Sequence, residues 1–355
     1  VKPVLFVAGH VPAYRAGALA RLHEREGIEL ALFGGRLRHG GETDVALELP
    51  HRRVRPLELG RLAASGDYRA VVVPTAGRVA PLASWAGARR ARVPLILWAS
   101  LWAHPRTAAH ALSYLPLRRL YATADAVVTY GPHVSAYVRA RGARNVFEAP
   151  QSVDNGFWRA QGIAPAIAAW PGEAACRFLF VGRDAPEKGA AVLREAWRSS
   201  GLRPPAAALL LVGGEDAAPF GEGAAAAGAA RAEQLRTLYA AADVLVVPSV
   251  ATRTFREPWG LVTNEAMNRS LPVIASDAVG AAAGGLVRDG TNGVVVPAGD
   301  SRALAAALQR LASEPQLRAR LGAAGAGDVA AYTHEAWAQG FSQALTSLRV
   351  GRVHC

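Results

Sequence analysis

Four side chains in the second half of the chain have the types and spacing to hold one phosphorylated ligand. Two are the cations Arg183 and Lys188 of FLFVGRDAPEKGAAVL (178–193), and two are the acids Glu257 and Glu265 of FREPWGLVTNEAM (255–267). The first motif reads as a strand, a tight Gly182-Arg183 turn, then a second turn in which Lys188 and Gly189 open a helix. Strand ends and helix N-termini present free backbone N–H groups, and those donors together with the helix dipole stabilise a diphosphate. Arg183 would add a forked contact and Lys188 a point charge on the same oxygens. The plainer alternative is that both cations decorate a βα loop. Only two of the 40 cationic residues are lysine, Lys2 and Lys188, so in a chain that otherwise uses arginine Lys188 asks for a reason.

In the second motif DVLVVPSV ends a strand, ATRTFR forms a loop, and apolar periodicity from Leu261 to Met267 starts a helix after Pro258, Trp259 and Gly260. The amides of Gly260, Leu261 and Val262 then form a second helix N-terminus. Glu257 stands before it and Glu265 within its early turns. A sugar nucleotide carries vicinal hydroxyls on its ribose and on its sugar, separated by the diphosphate, and carboxylates accept paired hydrogen bonds from such diols. Two alternatives stay open: Glu265 could simply complement the helix dipole, and Glu257 could pair with Arg253 or Arg256.

Positioning these groups falls to alternating apolar runs and helical segments, the pattern of parallel sheets covered on both faces. Strands are expected at 3–9, 28–34, 70–74, 93–99 and 125–130, then at 176–182, 207–213, 243–249, 272–276 and 292–297. The fold class this implies is α/β, with two Rossmann-like doubly wound domains facing a cleft. Such sheets bind ligands beyond the carboxyl ends of their strands, so the site should be shared. Pro, Gly and Ala break the alternation over 151–175, which places an acceptor-binding domain at 1–165 and a donor-binding domain at 166–333. HEAWAQGFSQALTSL (334–348) sets Trp337, Phe341, Leu345 and Leu348 on one helical face that needs a surface to cover it. The alanine-rich run 222–231 has no assignment.

The ordered set GR, EKG, DVLVVPS, EPWGLVTNEAM, LPVIAS and GTNGVVVPAGD resembles the C-terminal half of a retaining glycosyltransferase of family 4, with the GT-B fold, over about residues 176–305. The resemblance implies that Arg183 and Lys188 bind the donor diphosphate, Glu257 the donor sugar and Glu265 the ribose. It also implies that residues 334–355 cross back onto the N-terminal domain. Retention by attack on the face the diphosphate leaves rests on the same resemblance. This chain departs from the family pattern where Ser270 replaces the glycine ending the EAM helix, and where GAAAGG follows Val279. ADAVVTYGPHVSAYVRARGA and QSVDNGFW are similar to the family's last N-terminal βα unit and its passage into the second domain, which puts Asp154 and Phe157 near the hinge. The acceptor loop after the first strand would be GHVPAYRAG, with Gly9, His10, Tyr14 and Arg15 as candidate acceptor contacts. The family's histidine after the fourth strand has its candidate in His104, with Ser100 nearer the expected position; His133 is a weaker candidate.

Departure of a nucleoside diphosphate places charge on the β-phosphate, and fixed cations are the expected catalyst. No Asp-x-Asp or His cluster has metal-ligand spacing, so neither a metal nor another cofactor is expected. Of 355 residues about half are apolar, and the charge is uneven: residues 1–165 hold 22 Lys and Arg against 11 Asp and Glu, while 166–355 hold 18 against 17. The basic half points to an anionic partner, or to an anionic membrane surface, met through APLASWAGARRAR (80–92) and ALSYLPLRRLY (111–121), with Pro116 interrupting the second helix. The acceptor is then a lipid-linked one, a glycan or a natural product. A plain arginine-rich surface explains the charge equally well. A nucleic-acid binder is disfavoured because aromatic residues do not interleave with the basic ones. A sugar-nucleotide epimerase or hydrolase of the same architecture is disfavoured by EKG and EPWG. Absence of a spanning run and of a signal peptide makes the cytoplasm the expected location. Cys176 and Cys355 suggest neither a disulfide nor a thiolate site.

Overall fold

A computed structural model describes residues 2–34, 48–77, 79–161, 170–214 and 221–349, and the chain divides into two compact units. One comprises Val1–Asp154 with Tyr332–Cys355, the other Asn155–Ala331. The division thus falls between Asp154 and Asn155, earlier than the expected 165/166. Residues 162–169 of the expected linker, and Cys355, lie outside the described residues.

The first unit holds a seven-stranded sheet built from β1 (Val4–Ala8), β2 (Ile28–Leu32), β3 (His51–Arg53), β4 (Ala70–Pro74), β5 (Leu95–Ala99), β6 (Ala126–Thr129) and β7 (Val146–Glu148). Its order is β3-β2-β1-β4-β5-β6-β7, and the paired strands run parallel. Side chains alternate along β1, so Val4 and Phe6 enter one buried cluster and Leu5 and Val7 the other. That is why the strand reads as an unbroken apolar run. Helix His334–Ser347 covers the Phe6 face with Trp337, Phe341 and Leu345, each at most 1% exposed, as its apolar stripe requires. A Cβ at Gly340 would lie 2.3 Å from the Glu148 carbonyl oxygen, so only glycine lets this helix cross β7 so closely.

The second unit holds a six-stranded sheet of β8 (Cys176–Val181), β9 (Ala207–Val212), β10 (Ala224–Ala227), β11 (Val244–Val247), β12 (Val273–Ser276) and β13 (Gly293–Val296). Its order, β10-β9-β8-β11-β12-β13, repeats the doubly wound plan. Phe178, Phe180, Leu209 and Leu211 pack against Leu193 and Trp197 of helix Ala190–Ser200 and against Leu304, Leu308 and Leu311 of helix Ser301–Ser313. The unassigned alanine run supplies β10, pairing in parallel with β9. Ser270, standing where the resembled family has glycine, takes the left-handed φ of 58° that explains the glycine elsewhere.

One expectation fails in the first unit. Helix Ala108–Thr123 continues through Pro116. Pro116 and Leu112, whose carbonyl loses its helical donor there, are both exposed, so water can satisfy that carbonyl.

Candidate functional site

In each sheet the strand order reverses beside the first strand of the unit, between β1 and β4 and between β8 and β11. Crevices open at such points beyond the carboxyl ends of the strands.

In the second unit, Gly182 and Arg183 follow β8, and Pro248 and Ser249 follow β11. The backbones approach closely: Gly189 has φ of 72°, and a Cβ there would lie 1.9 Å from the Pro248 carbonyl oxygen. The Val250 amide donates to the Glu187 carbonyl at 2.9 Å, tying the EKG turn to the end of β11. Lys188 is thereby carried to Glu257, and its Nζ donates to Oε2 at 2.5 Å. Ser249 Oγ donates to the same oxygen at 3.4 Å. Glu257 thus meets the lysine of the other motif. Arg183, exposed at the end of β8, pairs with Glu187 at 3.3 Å.

The EPWG turn is pinned from behind. Glu257 bridges Val279, the Gly280 amide donates to the Glu257 carbonyl at 3.1 Å, and a Cβ at Gly280 would lie 2.0 Å from the Pro258 carbonyl oxygen. Gly280 belongs to the GAAAGG segment, so this small-residue run provides the close approach that holds Glu257 in place. Trp259 is 3% exposed, and its Nε1 donates to Asn264 Oδ1 at 2.8 Å. Its indole thus braces the turn from within. Gly260, with φ of 89°, leads through Leu261 into the six-residue helix Val262–Met267.

Glu265 in that helix accepts a hydrogen bond from the Tyr239 hydroxyl at 2.8 Å. Burial raises its carboxyl from 4.5 to about 7, with the Tyr239 hydrogen bond pulling the other way. Burial, and then the Glu265 charge, push the Tyr239 phenol well above its ordinary value. Tyr239 carried no signal in the sequence that marked it as the partner of Glu265. Ser249 could have been found, since it ends the DVLVVPS strand.

In the first unit a cavity of about 430 Å³ lies at the corresponding reversal of strand order. Gly9, His10, Tyr14 and Arg15 all line it, with Phe6, Phe33, Trp98, Ser100 and Tyr130. Burial pushes the Tyr130 phenol up to about 12. His104 is not in this lining. Its Nε2 lies 2.7 Å from the His110 carbonyl and its ring meets Tyr114 edge-on, because the first turn of helix Ala108–Thr123 holds it. Ser100 reaches the cavity in its place. His133 sits edge-on to Trp102 and is likewise outside the lining.

Cys176 is buried and burial raises its thiol to about 12, so it is not a reactive thiolate. Among the described residues no group of three or more His, Cys, Asp or Glu side chains could hold a metal ion, and no helix is long and apolar enough to cross a membrane.

Residues 175–314, which contain all four charged candidates, match the family model described as glycosyl transferases group 1. The matched stretch lies wholly within the second unit. The chain is 36% identical over 181 residues to a phosphatidyl-myo-inositol mannosyltransferase of Mycobacterium leprae, covering 48% of this chain and 46% of that protein. It is 43% identical over 97 residues to a D-inositol 3-phosphate glycosyltransferase of Streptomyces griseus, covering 26% of this chain and 18% of that protein. The chain thus spans less than half the length of either curated relative. In three dimensions it is similar to HepE of Anabaena in complex with UDP and glucose, with a TM-score of 0.73 at 18% identity over 98% of this chain and 100% of that one. It is also similar to sucrose-phosphate synthase of Thermosynechococcus elongatus, with a TM-score of 0.74 at 22% identity over 98% and 99%. These similarities show the fold, two parallel-sheet α/β domains of GT-B type, and the stretch that matches the family model falls in the second of them.

Proposed function

We propose that the protein is a retaining glycosyltransferase that moves a sugar from a nucleoside-diphosphate sugar to an acceptor without a metal ion. The observation that carries this reading is the meeting of Lys188 and Glu257 where the strand order of the second sheet reverses, with Arg183 at the end of β8. The likeness to proteins named as glycosyltransferases, and to a fold solved with UDP and glucose, supports it.

The chemistry follows from the charges. An ammonium has three donors, and one serves Glu257, so two remain for diphosphate oxygens. As the bond between the sugar and the diphosphate breaks, negative charge grows on the leaving oxygens, and Lys188 with Arg183 stabilises it without reorganising. Glu257, anchored by Lys188 and Ser249, offers its carboxylate to hydroxyls of the donor sugar. Glu265, beside Tyr239, serves the ribose. The acceptor hydroxyl attacks on the face the diphosphate leaves, its proton departing with the leaving group, so no protein nucleophile is needed.

The basic first unit meets an anionic membrane surface in this proposal, and the acceptor is lipid-linked. Leu112 and Leu115 are 82% and 68% exposed on helix Ala108–Thr123, and Leu82 is 43% exposed on helix Ala80–Ala91. The two helices adjoin through the Trp85 Nε1 to Thr123 Oγ1 bond at 3.1 Å and carry Arg89, Arg90, Arg118 and Arg119. Exposed leucines among arginines suit an interface with anionic lipid.

The test of the transferase reading is incubation with a panel of nucleoside-diphosphate sugars, without acceptor and in excess chelator. Slow release of nucleoside diphosphate and free sugar from one of them is expected. Conversion to an epimeric sugar nucleotide, or no release from any, would reject it.

A further inference from the structure

The hydrogen bond from the Tyr239 hydroxyl to Glu265 Oε2 joins helix Ala232–Ala241 to helix Val262–Met267. The Tyr239 ring is fully buried, and Trp158 of helix Asn155–Arg159 lies edge-on to it with ring centroids 5.6 Å apart. Packing therefore aims the hydroxyl. Burial, and then the Glu265 charge, hold the phenol well above its ordinary value, so Tyr239 stays a donor when Glu265 ionises. Glu265 is placed differently. It is half-buried, no donor among the described residues meets its Oε1, and that oxygen is not sealed from solvent. One carboxyl oxygen is held while the other is free to accept. A glutamate side chain has several rotatable bonds, and fixing them costs conformational entropy that a ligand must otherwise supply on binding. A tyrosine already in place lowers that cost.

We propose that Tyr239 is a positioning residue for the donor nucleotide: its hydroxyl holds Glu265 Oε2 so that Oε1 accepts from the ribose hydroxyls. The proposal rests on the transferase reading, which supplies the nucleotide, and adds the group that sets the preference for a hydroxylated ribose. Tyr239 acts through Glu265 and touches no substrate. A hydrogen bond to a carboxylate also favours its ionised form, and that form is the better acceptor for a hydroxyl. The contact thus affects both where the carboxylate points and the pH range in which it works.

Calorimetry on the full chain compares UDP, GDP, ADP, CDP and TDP, each beside its analogue lacking the hydroxyls of the sugar ring. The ratio of the two affinities isolates the ring contact, because ionisation of the diphosphate cancels. Wild type should prefer the hydroxylated form of at least one nucleotide about tenfold at about pH 8. That preference should fade as pH falls through about 7, where Glu265 takes up its proton. Tyr239→Phe deletes one oxygen and keeps the ring against Trp158. Its preference should drop to about threefold or less, and the fade should set in at higher pH, because a bond that favoured the carboxylate is gone. In Glu265→Gln the preference is already small, and adding Tyr239→Phe should change it no further. This second background separates loss of positioning from general damage to the fold. A full preference retained in Tyr239→Phe, a further loss in the Glu265→Gln background, or nucleotide binding with no ring preference in wild type would overturn the proposal and leave the transferase reading standing. Failure of every nucleoside diphosphate to bind would reject the transferase reading and this proposal with it.

Discussion

Lys188 Nζ lies 2.5 Å from Glu257 Oε2, although 69 positions separate the two residues. Each belongs to a different loop at the carboxyl end of the second sheet, and Gly189 is what brings the loops together. An ion pair with a side-chain exposure of 22% on the lysine and 9% on the acid is preorganised before any ligand arrives. In the proposed reading Lys188→Ala removes one donor to the leaving group and takes the ammonium from Glu257, and turnover should fall on the order of 100-fold. Glu257→Gln keeps the shape, and the double variant should cost less than the two single losses combined, because the residues act as a unit. Steady-state kinetics on the three variants checks this; simple additivity would contradict it.

Gly189→Ala tests the backbone contact itself. Its φ of 72° and the approach to the Pro248 carbonyl leave no room for a methyl group. The substitution should destabilise the protein by at least about 2 kcal/mol. Urea unfolding measures it, and a midpoint equal to wild type would show that the EKG turn is placed elsewhere.

Much of this was legible in the sequence. Ten apolar runs mark ten strands within a residue or two, because a strand buried on both faces must be apolar throughout. Three strands escaped, β3, β7 and β10, and each lies at a sheet edge. HRR is exposed along its length, and an alanine run reads equally well as helix. At the site, Arg183, Lys188, Glu257 and Glu265 stood out because Gly and Pro punctuation marks the turns that carry them. The Lys188–Glu257 pair, and the Tyr239 hydroxyl on Glu265, depend on tertiary approach that no local pattern encodes. His104 lies near the expected strand end, with its ring held by the first turn of the next helix, a contact that local spacing does not encode.

The Glu265 carboxyl makes stability depend on pH. It titrates near 7 in the fold against about 4.5 unfolded. Below 4.5 both states hold the proton and Glu265 contributes nothing. Between 4.5 and about 7 the unfolded chain releases its proton first, so the folded state binds more protons and stability falls as pH rises. Above 7 the loss is complete. Urea midpoints across this range should decline in wild type and be flatter in Glu265→Gln. Parallel curves would contradict the assignment.

Vesicle co-sedimentation tests the membrane surface. Wild type should bind anionic vesicles at low salt and release at high salt, since the Debye length shrinks to about 3 Å at 1 M. Leu112→Ser with Leu115→Ser should weaken binding at low salt. No binding to anionic vesicles at low salt would end this part of the account.

The central claim is that the Lys188 and Glu257 loops hold a nucleoside diphosphate. Melting temperatures of wild type and Lys188→Ala with UDP, GDP, ADP, CDP and TDP test it most directly, because a ligand that binds only the folded state raises the midpoint. The account predicts that at least one of the five raises the wild-type midpoint and that the shift collapses in Lys188→Ala. No shift with any of them, or equal shifts in the two proteins, would contradict it.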